Sequence, residues 1–203
     1  MNNIGFISKK GLKPLLFLIG LALILTFFIS DFLGNVAIVL VLVALYIFRD
    51  TKRYIFENSA SVLAPVDGKI LAIDTVDDKY KIYCKVGLFD NHLVRAPFDS
   101  ELKVKKYQKG LNLNPNTVKA KALNEQAVYK FTSTEDQTVL KLKLISGLCN
   151  IGIDEIENKN VLQGEELVYF LDGIAIITVK KENKLLVSLG EKLLCGQTIL
   201  YKK

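Results

Sequence analysis

Two uncharged apolar runs, residues 14–30 and 32–48, constrain this chain more than any other feature. Asp31, with Gly34 and Asn35 close behind it, separates them. The pattern predicts helices at about 14–30 and 32–48 joined by a tight turn, an N-terminal transmembrane helical hairpin. Each run is near the lower limit of ~17 residues for spanning a bilayer, so a shallow re-entrant hairpin is the alternative geometry. Lys9, Lys10 and Lys13 precede the first run, and Arg49, Lys52 and Arg53 follow the second. The positive-inside bias therefore places both ends in the cytoplasm and the Asp31 turn on the opposite face of the cell's inner membrane. A cleaved signal peptide is not expected, because the first run continues through Leu23, Ile24, Leu25 and Phe27 without a small-residue cleavage site.

Charge reinforces this reading. The formal net charge is +6, and residues 1–53, the membrane anchor, carry +4 of it, leaving +2 for the domain expected at 54–203. A nucleic-acid binder concentrates its basic residues on the folded domain; here they flank the apolar segment and point to a phospholipid membrane, not to nucleic acid. Cys84, Cys149 and Cys195 are too widely spaced for a zinc site and odd in number, so neither a metal nor a disulfide framework is expected.

Beyond Phe56 come short apolar or alternating runs at 70–73, 80–86, 102–107, 127–132, 138–145, 167–171, 174–179, 185–189 and 198–201. Turn pairs such as Asp67-Gly68, Asp172-Gly173 and Glu182-Asn183 separate them. The fold class expected is mainly β, an antiparallel sandwich or barrel-like domain. Residues 116–126 are short and poorly periodic and fit either a turn or two of helix or a loop. An internal echo, Val161-Leu-Gln-Gly-Glu-Glu-Leu and Leu194-Cys-Gly-Gln-Thr-Ile-Leu, predicts two similar glycine-turn hairpins.

The only histidine, His92, follows the run at 80–86, between Asp90 and Arg95. Such a cluster supplies a proton-transferring imidazole and a cation for an anionic group, although a lone histidine also serves structural roles. Asp67 is either a hairpin corner or a partner in the same chemistry.

Order and wording of these segments resemble the short, membrane-anchored form of the phosphatidylserine decarboxylase family, over nearly the whole chain. Phe48-Arg49-Asp50 is similar to the family's Phe-Arg-Asp-Pro junction, with Thr51 in place of proline; Ala64-Pro65-Val66-Asp67-Gly68 is similar to its Pro-x-Asp-Gly motif. Asp90-Asn91-His92-Leu93-Val94-Arg95-Ala96-Pro97 resembles Asp-x-His-x-x-Arg-Ala-Pro, the most specific of the set, and residues 189–200 resemble the closing segment. The resemblance implies a proenzyme that cuts itself before a serine and turns that serine into a pyruvoyl cofactor, which forms a Schiff base with phosphatidylserine and takes up the electrons released with carbon dioxide. It also implies that Asp67 and His92 activate the serine and that the histidine then helps handle protons; Arg95, the cation of the cluster read above, is the expected substrate-binding residue.

The family's Phe-Gly-Ser corresponds to Phe170-Leu171-Asp172-Gly173-Ile174, with Asp172 at the serine position. Self-cleavage needs a hydroxyl or thiol, and a carboxylate cannot complete the elimination that makes a pyruvoyl group. Residues 167–177 instead read as an uncut hairpin turning at Asp172-Gly173. Where the family commonly has two arginines after Gly147, this chain has Leu148, Cys149 and Asn150. The expectation is a phosphatidylserine-decarboxylase-like protein that forms no pyruvoyl group of its own. It would bind a phosphatidylserine-type head group or assemble with an active family member, with a homo-oligomer as a further alternative. An active lyase by another route, and a lipoyl-like adaptor module of a transport complex, are the rival readings.

Overall fold

The computed structural model describes residues 8–28, 30–49, 53–56, 58, 60–136 and 138–203, and the chain divides into two compact units, Met1–Lys52 and Arg53–Lys203. Asp50 and Thr51 of the expected Phe-Arg-Asp-Pro-like junction lie outside the described residues.

Helices α1 (Lys9–Phe28) and α2 (Asp31–Ile47) make the first unit. Small residues let them approach: Ala22, Ala37 and Ala44 are buried, and a Cβ on Gly34 would fall onto Thr26. The Ser8 N–H donates to the Phe48 carbonyl at 3.0 Å and ties the open ends together. Outward faces stay apolar, with Phe17, Phe27 and Phe32 exposed to 71, 77 and 74%.

The helical pair is present, but the two expected spans are not. Among the described residues, no helix is long and apolar enough to cross a membrane. Helix α1 starts at Lys9, so Lys9, Lys10 and Lys13 lie inside it rather than before it. The remainder of α1 after Lys13 covers only about 22 Å and α2 about 26 Å at 1.5 Å per residue, against a hydrocarbon core of about 30 Å.

The second unit is antiparallel β. Its strands are β1 (Ser61–Leu63), β2 (Gly68–Val76), β3 (Lys79–Val86), β4 (Leu93–Arg95), β5 (Ser100–Gln108), β6 (Gln126–Ser133), β7 (Val139–Ser146), β8 (Lys159–Val161), β9 (Glu166–Tyr169), β10 (Gly173–Lys180), β11 (Lys192–Leu193) and β12 (Ile199–Lys202). One helical turn, α3 (Ala120–Leu123), precedes β6 and decides the ambiguous stretch at 116–126. Eight strands form one sheet in the order β11-β2-β3-β10-β7-β6-β5-β8, while β1 pairs with β12 and β4 with β9 in two small ribbons. In β3, Ile82, Cys84 and Val86 are buried and Lys79 and Lys85 exposed, the period-2 signature of a sheet covered on one face. The ribbons supply Val62, Leu200, Tyr201 and Val168 to the same core that holds Ile82, Leu142 and Phe131.

Two sequence expectations change here. The run at 185–189 forms no strand, although Val187 is buried. The glycine-turn hairpins are not hairpins: β8 and β9 lie in different sheets, as do β11 and β12, and as do β9 and β10 on either side of Asp172-Gly173. Each of these links carries the chain between the large sheet and a ribbon. The glycine turns themselves are real, with Gly164 at φ +81 and Gly196 at φ +74.

A pseudo-twofold relation governs this layer. Ala64-Pro65-Val66-Asp67 and Ala96-Pro97-Phe98-Asp99 each carry a ribbon strand into the large sheet, and their backbones bond reciprocally, Leu63 N–H to Pro97 O at 3.0 Å and Arg95 N–H to Pro65 O at 2.9 Å. Gly196 N–H donates to Ala64 O at 3.0 Å, and Gly164 N–H donates to Ala96 O at 2.9 Å. Even the carboxylates correspond: Asp67 accepts from Cys195 N–H and Asp99 from Gln163 N–H, both at 2.6 Å.

Candidate functional site

Asp67 sits where β1 gives way to β2, and its side chain is 1% exposed. The Arg53 guanidinium donates to Oδ1 at 2.6 Å and Oδ2 at 2.7 Å, Cys195 N–H donates to Oδ1, and Asn91 N–H to Oδ2 at 3.2 Å. A carboxylate offers about four lone-pair sites, so this one is fully engaged, pinning residues 53, 91 and 195 around one corner. Gly68 must be glycine: its φ is +143, and a Cβ would meet the Lys85 carbonyl.

On the far side of β3 the same corner recurs. Gly173 has φ +145, a Cβ there would meet the Ile145 carbonyl, and the residue stands opposite Val86 of β3 and Ser146 of β7. Because Lys69 stands opposite Lys85, Asp67 and Asp172 enter strands on either side of the same end of β3. Two strand spacings put their backbones about 10 Å apart. The chain leaving β3 passes through Asp90, Asn91 and His92 into β4, and Phe170 N–H donates to His92 O at 2.7 Å, two residues before Asp172. Asp67, His92 and Asp172 therefore belong to one end of the sheet.

Their side chains are held by different neighbours. The Asp172 carboxylate covers Gly147, where a Cβ would collide with it, and accepts from Cys149 N–H at 3.2 Å, while Asp172 O accepts from Gly147 N–H at 2.9 Å. The His92 ring, 3% exposed, meets Tyr169 edge-on with centroids 5.5 Å apart and planes at 60°. Arg95 is 7% exposed and turns inward: Nη1 donates to Gly164 O at 2.9 Å and Nη2 to Glu166 Oε1 at 2.8 Å, so its guanidinium latches the glycine turn.

Several contributors escaped the sequence reading. Arg53 counted there only as part of a basic flank. Asn150, at one of the positions noted for missing arginines, accepts from Leu171 N–H at 3.2 Å through Oδ1 and is 4% exposed. Buried Glu125 supports that segment, accepting from Ile153 N–H at 3.1 Å and Tyr107 Oη at 3.1 Å. The Ala-Pro-x-Asp repeat was the legible signal for the corner, since it predicts that Asp67 caps a glycine turn as Asp99 does.

Burial pushes the Cys84 and Cys195 thiols up to about 12, with the Asp67 charge adding to the effect at both, so neither is a nucleophile at neutral pH. Beside Gly173 a groove of about 360 Å³ opens, lined by Leu71, Tyr83, Ile145, Ile174 and Ile176, with Lys121 and Lys143 among its walls. Among the described residues, no three His, Cys, Asp or Glu side chains are grouped to hold a metal.

A family model described as phosphatidylserine decarboxylase matches residues 40–201. A phosphatidylserine decarboxylase proenzyme of Pelagibacter ubique (strain HTCC1062) is 29% identical over 97% of this chain and 96% of its own length. Proteins of the same name from Syntrophus aciditrophicus (strain SB) and Burkholderia pseudomallei (strain 1106a) are 22% and 30% identical, covering 98% and 75% of this chain and 99% and 74% of their own lengths. No solved structure matches significantly.

Proposed function

Since the chain belongs to the phosphatidylserine decarboxylase family, we propose that it is a phospholipid-binding member that remains one uncut chain and forms no pyruvoyl group. One observation carries this reading: from Phe170 to Ile177 there is no serine, threonine or cysteine, and the first hydroxyl, Thr178, lies well inside β10. The conformation of Gly173 sharpens the argument. Its positive φ and lack of room for a Cβ make it the natural counterpart of the motif's glycine, which moves the serine position from Asp172 to Ile174. In either register the side chain, a carboxylate or an alkyl group, cannot complete the acyl shift to an ester and the β-elimination that yields a pyruvoyl group. The residues present do not fit a self-generated pyruvoyl group.

The groove beside Gly173 supports lipid binding, with apolar walls for the glycerol and acyl portion and Lys143 and Lys121 for the phosphate. The exposed phenylalanines of α1 and α2 support seating the hairpin part-way into the cytoplasmic leaflet of the inner membrane, with Lys13 and Arg49 at its cytoplasmic ends. A second copy, or an active family member, is the partner this scheme calls for.

The test is a decarboxylation assay on the purified full chain with phosphatidylserine labelled at its carboxyl carbon. No labelled carbon dioxide above background is expected. Release of label without another enzyme present defeats the proposal and puts an active lyase in its place. Two serine variants probe the corner itself: Ile174→Ser with Gly173 kept, and Asp172→Ser with Leu171→Gly. Cleavage in the first alone supports the register set by the glycine; cleavage in the second alone counts against it.

A further inference from the structure

The outer face of the eight-stranded sheet carries like charges directly opposite one another. Lys103 stands across from Lys130, and Lys130 across from Lys141. Lys79 faces Lys180, and Lys69 faces Lys85. Like charges in directly opposed positions destabilise a sheet, and the strands of this one contain only two acidic residues, Asp74 and Glu101. Glu101 is engaged with its own neighbour Lys103 at 2.9 Å. Repulsion is felt at Lys143, whose pKa is held below the usual lysine value by burial and then by Lys106, Lys141 and Lys121. Lys79, Lys105, Lys130, Lys141 and Lys180 ring a groove of about 550 Å³ with Val139 and Thr178 on its floor.

We propose that this lysine face docks on an anionic phospholipid bilayer, its ammonium groups meeting lipid phosphates. Charge complementarity selects the sign of the partner, and the shape of the face selects its kind. A broad sheet face carrying flexible point charges matches a two-dimensional array of phosphates. Single-stranded nucleic acid is bound through aromatic platforms, whereas among the outward positions of the strands β3, β10 and β7 the sole aromatic is Tyr83. The choice of lipid as the occupant rests on the phospholipid reading above; the charge pattern does not.

Vesicle co-flotation of the full chain tests it, comparing pure phosphatidylcholine with vesicles one third phosphatidylglycerol, for wild type and for Lys103→Gln/Lys130→Gln/Lys141→Gln/Lys180→Gln. Each lysine at an anionic surface is worth roughly five-fold in partitioning, so the four together account for a preference on the order of 10³-fold for anionic vesicles. That preference is expected to vanish in the variant and in molar salt, where screening is short-ranged, while binding to neutral vesicles through the hairpin stays unchanged. The variant's thermal midpoint should equal or exceed that of wild type, because repulsion has been removed. A wild type with no anionic preference, a variant that keeps it, or single-stranded RNA that displaces the vesicles at lower phosphate concentration would each overturn the proposal. Decarboxylation by the wild type would defeat the functional reading and leave this binding result standing.

Discussion

Replacing Arg53 with methionine removes the cation from a carboxylate that has almost no access to water. Asp67 is 1% exposed and Arg53 18%, and the two meet through paired bonds at 2.6 and 2.7 Å. Removing one member of a buried ion pair costs about 3–5 kcal/mol, mostly the penalty of the charge left behind. Solvent reaches the Arg53 side, and the Cys195 and Asn91 N–H groups stay in place, so the expected loss is scaled down to about 2–4 kcal/mol. For a unit of this size that lowers the thermal midpoint by about 5–15 °C. Urea unfolding of the full chain in detergent measures it; the chain has eight tyrosines and no tryptophan, so far-ultraviolet circular dichroism is the cleaner signal. Arg53→Met/Asp67→Asn, in which no charge is stranded, should recover at least half of the loss. A loss under about 1 kcal/mol, or a double variant no better than the single, would refute the view that this pair holds the corner together.

Alkaline pH should weaken the β unit. Cys84 and Cys195 keep their protons to about 12 when folded but lose them near the ordinary 9.0 when unfolded, so their contribution is complete below pH 9 and declines as pH rises toward 12. The slope is up to about 1.4 kcal/mol per pH unit for each thiol, and pH-dependent urea midpoints that stay flat over that interval would contradict it. Cys149 is exposed whereas Cys84 and Cys195 are buried, so a water-soluble maleimide should add one label quickly and the other two only on unfolding; three equal rates would contradict the burial. Gly173→Ala should lower stability by at least about 2 kcal/mol, because alanine rarely adopts φ +145 and its Cβ would meet the Ile145 carbonyl. A thermal midpoint equal to wild type would refute the glycine requirement.

Alternation made the large sheet legible. Strands β3, β7 and β10 each bury one face and expose the other, so the runs at 80–86, 138–145 and 174–179 fall within or beside them. Strands β1 and β4 were invisible to the same reasoning because all three residues of each are buried, leaving no alternation to read. Asp67-Gly68 and Asp172-Gly173 had the wording of hairpin turns, yet each begins a long strand after a crossing from a ribbon. Local turn preference names the glycine but not the sheet to which the next strand belongs. Within the site, wording singled out Asp67, His92 and Asp172, while their donors stayed hidden because Arg53 and Cys195 reach Asp67 across 14 and 128 positions of sequence. Arg95 looked like a free cation in sequence, and only the fold reveals that Gly164 O and Glu166 occupy its guanidinium.

Whether the chain is ever cut is decided by its mass. Intact-protein mass spectrometry of the purified wild type should give one species near 22.7 kDa, with no fragment ending at or near residue 173 and none beginning with a pyruvoyl-blocked terminus. Two fragments dividing the chain at residues 172–174, the smaller carrying a carbonyl-blocked first residue, would contradict the central claim and show that the missing hydroxyl is not required for processing.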